Sequence, residues 1–154
     1  MKSATLKLGR TFGVTFDHGE SFFDALAKFC ADNGLRQGYI PMFLAGFKDV
    51  ELVGTCEKLE DPQAPVWTRV HLDNVEAIGG GTIAFDPEAR RILPHVHVAV
   101  GLKPHSAMGH TSHLLSATVQ FLVEMLVIEV AGPHMRRIVN HALYDVPLLN
   151  FLAE

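Results

Sequence analysis

Five of the nine histidines in this chain fall between Pro94 and Leu115, in the run PHVHVAVGLKPHSAMGHTSHLL: His95, His97, His105, His110 and His113. Val96, Val98 and Val100 alternate with the first two in a pattern that reads as a β-strand. Side chains two residues apart on a strand share a face, roughly 6–7 Å from one another. His95 and His97 are therefore expected on one face, with the valines on the other. Two imidazoles placed this way need one more imidazole or carboxylate to hold a divalent metal ion. The Gly109-His110 and Ser112-His113-Leu114-Leu115 steps offer that third group, on a turn returning towards the strand. Imidazole nitrogen suits zinc, and a water or small anion would complete the shell. The plainer alternative is a polar, half-exposed strand face that binds nothing.

A carboxylate belongs in the same discussion. Glu124 interrupts the apolar run Thr118 to Val130, TVQFLVEMLVIEV, and a carboxylate there needs a partner. It could orient a histidine ring from outside the metal shell, coordinate directly, or sit at a subunit interface. A partly wet face would satisfy it equally.

The elements that must position these groups are mostly strands. Strand is expected around Leu6–Leu8 and Phe12–Phe16, and Asp17-His18-Gly19 is a turn signal. The next segment, GESFFDALAKFCADNG, is the clearest helix, with Ser21 as cap and Asp24 three residues on. Phe22, Phe23, Leu26, Phe29 and Cys30 recur at helical spacing, and Asn33-Gly34 stops the run. Cys30 on that face reads as core packing. Gly38 to Val53 is rich in β-formers broken by Pro41 and Gly46, and predicts two strands or one strongly bent one. Glu57 to Pro65 reads as a surface loop, and Val66–Leu72 and Val75–Ile78 as short strands. Gly79-Gly80-Gly81 precedes the strand-like Thr82–Phe85, so it marks a close approach of backbones and not a phosphate loop, which would open a helix.

Asp86 to Arg90 is a turn, after which the histidine strand begins. Thr118 to Val130 favours a long central strand through its β-branched content, although periodicity also permits a helix over Leu114–Met125. His134-Met135-Arg136-Arg137 reads as a solvated basic turn, and the apolar tail Tyr144–Phe151 as a segment docked on the body. Many strands, one strong helix and few βαβ alternations argue for an α+β fold with a mainly antiparallel sheet.

Composition narrows the rest. The 154 residues make one domain by length, 1–154, large enough to bury a core. A formal charge of −4 gives no basic field to attract nucleic acid. Two cysteines, Cys30 and Cys56, make no disulfide framework, so a reducing cytoplasm is the expected compartment. The opening MKSATLKLGR carries no apolar run of the secretory kind, and Val119–Val130 is too short to span a bilayer, so no membrane is expected as partner.

The order of motifs resembles the PPC (plants and prokaryotes conserved) domain over roughly residues 8 to 150. A Gly-Glu-led helix is followed by Val75-Glu76-Ala77-Ile78-Gly79-Gly80-Gly81-Thr82-Ile83, the His-x-His strand, and a glycine-histidine-leucine step. The resemblance implies an α+β sandwich-like domain assembled as a homotrimer. It also implies an association with DNA, because plant members carry an Arg-Gly-Arg-Pro hook for the minor groove. This chain has no such segment. Family members usually read Gly-Gly-His-Leu where this chain has Gly109-His110-Thr111-Ser112-His113-Leu114. His113, followed by two leucines, is the better match to the family histidine, with His110 the alternative. The expected centre is thus His95, His97 and His113 with zinc, in a homotrimeric binding or regulatory domain whose DNA binding is weak. The alternative is a metal-dependent enzyme of unknown substrate, using an open three-histidine site.

Overall fold

The computed structural model describes residues 2–54, 68–102 and 105–152, with backbone alone at 105–108. The expected loop Glu57–Pro65 and Cys56 lie outside the described residues. In chain order the elements are β1 (Lys7–Asp17), α1 (Phe22–Asp32), β2 (Gly38–Val53), β3 (Arg69–Asp86), β4 (Arg91–Leu102), β5 (His105–Gly132), β6 (His134–Asn140) and β7 (Val146–Leu152). A turn of 3-10 helix at His141–Leu143 precedes β7. Among the described residues, no helix is long and apolar enough to cross a membrane.

The strands pair antiparallel throughout, in the order β1-β5-β2-β3-β4, and β4 pairs again with β5 to close a barrel-like sheet. The fold is α+β with a mainly antiparallel sheet, as the sequence pattern predicts. Closure depends on β5. Its first part lies against β4, its middle against β2, and its last part against β1. Register shifts along the β2–β5 pair bend the long strand so that it can change partners. The permitted helix over Leu114–Met125 is therefore replaced by strand: Val119, Val123 and Val127 are fully buried, and their β-branched side chains suit a pleated surface.

Helix α1 stoppers the barrel. Ser21 caps it by accepting from the Asp24 amide at 3.4 Å, and Phe22, Leu26 and Cys30 are buried. Phe22 sits among Phe16, Phe43 and Phe47 at ring distances of 5.2–5.9 Å, a cluster that fills the interior. Burial pushes the Cys30 thiol up to about 12, so it is a packing residue.

Several expected segments merge. The two N-terminal strands are one β1, Gly38–Val53 is one strand with a register shift at Ile40/Phe43, and the pieces from Arg69 to Asp86 are one β3. The glycine run does mark a close approach: a Cβ on Gly79 would lie 2.4 Å from the Phe43 ring, and one on Gly81 would lie 2.4 Å from the His95 carbonyl oxygen. His134–Arg137 is strand and not a solvated turn, because it pairs with β7 residue for residue and Met135 is buried. The β6–β7 hairpin is tied to the barrel by Gln37. Its Nε2 donates to the Val130 and Pro133 carbonyls at 2.9 Å, and its Oε1 accepts from the Met135 amide at 2.8 Å.

Candidate metal centre

Strand β4 alternates as its sequence requires. Val96, Val98 and Val100 are buried against the core, and His95 and His97 project from the other face. Strand β5 runs back beside it in a register that sets His113 opposite His97. Directly opposed residues of an antiparallel pair share a face, so the third imidazole arrives on a strand, not on the expected turn. On the far side of β4, Gly80 lies opposite His97 and Thr82 opposite His95. A Cβ on Gly80 would lie 2.9 Å from the Ile40 carbonyl oxygen, so this glycine serves the close approach of β2 to β3.

The three side chains converge. One nitrogen from each of His95, His97 and His113 lies within 4.8 Å of the others, and the His95 and His97 Nε2 atoms are 2.9 Å apart. His113 meets the two other rings edge-on at 4.8 and 5.5 Å between centroids. Desolvation, with lesser contributions from Arg137, His113 and His97, pushes His95 down to about 4. Desolvation also lowers His113, followed by the charges of His97 and Arg137. Both are therefore neutral near pH 7 and offer lone pairs. Zinc bonds of about 2.0–2.1 Å at tetrahedral angles separate ligand nitrogens by about 3.3 Å. The residues present fit such an ion.

The other expected residues lie elsewhere. His110 is exposed, opposite Val100 and three residues from His113, which turns it to the other face of β5. His105 begins β5, and its side chain lies outside the described residues. Glu124 is exposed between Thr15 and Leu44, roughly 35 Å of strand along β5 from His113. One residue that sequence reasoning passed over joins the imidazoles. Arg137 on β6 donates from Nη2 to Thr82 Oγ1 at 2.6 Å and from Nε to the Leu93 carbonyl at 3.3 Å. Burial lowers its pKa, though an arginine stays protonated at any ordinary pH. Together with His95, His97 and β7 it lines a cavity of about 410 Å³.

A barrel-like antiparallel sheet with three imidazoles gathered on its outer face defines the class. A family model for the Plants and Prokaryotes Conserved domain matches residues 3–131, and the chain belongs to that family. The three histidines fall inside the matched stretch; Arg137 and the β6–β7 hairpin follow it. No curated protein matches the chain. Among solved structures, a plant- and prokaryote-conserved protein of Pyrococcus horikoshii superposes with a TM-score of 0.81 at 20% identity, covering 100% of each chain. A metal-containing protein of Archaeoglobus fulgidus superposes with a TM-score of 0.78 at 18% identity, covering 99% of each. Acetolactate decarboxylase of Bacillus subtilis subspecies spizizenii gives 0.54 at 16% identity, covering 82% of this chain and 54% of the enzyme. At these identities the likeness is one of fold.

Proposed function

We propose that this chain is a self-associating binding domain of the PPC family that holds one divalent ion, zinc in the first instance, on His95, His97 and His113. The observation that carries this reading is the convergence of three imidazoles within 4.8 Å, with burial keeping His95 and His113 neutral. The metal-containing description of the Archaeoglobus fulgidus protein supports it at the level of fold. Zinc supplies a Lewis-acidic centre there. The chain's own part is to fix three neutral donors and leave the side towards the cavity open. Elemental analysis of protein purified without a chelator or polyhistidine tag, then incubated with zinc and desalted, tests the centre. About one ion per chain is expected, and His95→Ala/His97→Ala should retain none. Retention far below one ion by the wild type would remove the centre.

Self-association rests on an apolar outer face: Met42, Leu44, Ile78 and Phe121 are all more than 40% exposed, and Leu44 and Ile78 are register partners. Light scattering coupled to size exclusion should give a mass near three chains, and a monomer at micromolar concentration would refute the trimer. DNA is expected to bind weakly, since a chain of net charge −4 neutralises few phosphates. Anisotropy at about 150 mM salt should show no saturation below the micromolar range, and nanomolar, sequence-dependent binding would restore a regulatory reading. The second reading is a metal-dependent enzyme. The cavity in front of His95 and His97 favours it, and a fold shared with a decarboxylase is compatible with it.

A further inference from the structure

The cavity beside the histidines has a cationic end and an apolar wall. Arg137 forms the first, with the His95–His97 pair beside it, and Val146, Pro147, Leu148 and Leu149 of β7 form the second. We propose that the ligand of this centre is a small carboxylate with a short apolar body, its carboxylate gripped by Arg137 while it faces the metal. This inference rests on the metal reading above and names the ligand class of the same site.

Arg137 is already held in place. Its Nη2 and Nε are engaged by Thr82 and the Leu93 carbonyl, whereas Nη1 has no partner among the described residues. A guanidinium pinned on one side loses little further freedom when it binds on the other. No aspartate or glutamate pairs with it among the described residues. Its titratable neighbours are imidazoles, and a dication seated on them would add positive charge beside a half-buried cation. An anion relieves both.

The shape of the site selects among anions. The planar arginine fork matches a carboxylate, and the wall from Val146 to Leu149 offers apolar side chains where a phosphate would need further donors. Gly80 and Gly81 line the cavity beside His95 and His97 without side chains of their own.

The test uses the full zinc-loaded chain with three probes, isobutyrate, isobutyramide and inorganic phosphate, titrated by calorimetry, together with zinc content. Wild type should bind isobutyrate at least about tenfold more tightly than the amide, and more tightly than phosphate. Arg137→Gln should keep its zinc, bind isobutyrate about tenfold to a hundredfold more weakly, and no longer distinguish acid from amide. Arg137→Lys should keep zinc and part of the preference. Equal binding of acid and amide by zinc-loaded wild type overturns the carboxylate assignment and leaves the metal standing, as does tighter binding of phosphate or unchanged isobutyrate affinity in Arg137→Gln. Should Arg137→Gln lose its zinc or its fold, Arg137→Lys decides, and the absence of an acid preference there overturns the assignment. A wild type that retains no zinc fails the metal reading itself, and this inference with it.

Discussion

Val96, Val98 and Val100 point into the barrel and are sealed there, whereas His95 and His97, interleaved on the same strand, face outward towards the β6–β7 hairpin. The inward face meets a packed interior led by Phe22, Phe43 and Phe47, and its demand is volume. The outward face meets Gly80, Thr82 and Arg137, and its demand is donors and space. One strand thus packs the core on one side and presents imidazoles on the other. Damage to the two sides should therefore be separable.

The largest effect is expected inside. Phe22→Ala removes a fully buried ring that touches Phe16, Phe43 and Phe47, and should cost about 3–5 kcal/mol in urea unfolding. The zinc-free His95→Ala/His97→Ala variant should unfold within about 1 kcal/mol of the zinc-free wild type, even though zinc binding is gone. If the double variant were as unstable as Phe22→Ala, the imidazoles would be part of the core and the separation would fail.

Next in size is the joint between the two regions. Gln37 is 8% exposed and satisfies two carbonyls and one amide where β5 gives way to β6. Gln37→Leu leaves those groups without their partner and should cost about 1–3 kcal/mol. The loss should be local, with faster hydrogen exchange over β6 and β7 and an unchanged rate in β2 and β5. Uniform acceleration would mean that hairpin and barrel unfold as one unit.

The inner face was the more legible of the two in the sequence, because its signals are periodic and local. Ser21, the apolar face of α1 and Asn33-Gly34 mark the helix within a residue or two of its observed ends, and the valine alternation marks β4. The His-x-His pair is equally local. The partner strand is not: His113 reaches His97 only through the β4–β5 register, which no short-range pattern encodes. The length of β5 was hidden for a different reason: Phe121 and Leu122 on its exposed side are apolar as well, which blurs the alternation with the buried Val119, Val123 and Val127. Arg137 was missed because Arg136-Arg137 resembles an ordinary charged turn. Its role comes from contacts with Thr82 and Leu93, 55 and 44 residues away.

The smallest expected effect lies at the rim, on neither face of β4. Glu129 on β5 accepts from the Arg10 side chain at 2.7 Å and from the Arg10 amide at 3.0 Å, while Arg10 also donates to the Asn33 carbonyl at the end of α1. These hydrogen bonds, the side-chain one first, pull the Glu129 carboxyl down to about 2 from a usual value of 4.5. A depressed carboxyl stabilises the fold fully above its unfolded value, and that stability is lost as pH falls through the folded one. The window is therefore about pH 4.5 down to about 2. Because Arg10 is half exposed, solvent screening keeps the pair's contribution at neutral pH small. Glu129→Gln should lower stability slightly at pH 7, and the difference from wild type should close across the acid window. Zinc content should not change at all. A difference that stays constant from pH 7 to 2 would show that the carboxylate acts by packing and not by charge. A loss of zinc in this variant would tie the rim to the histidine face and undo the separation from which these expectations come.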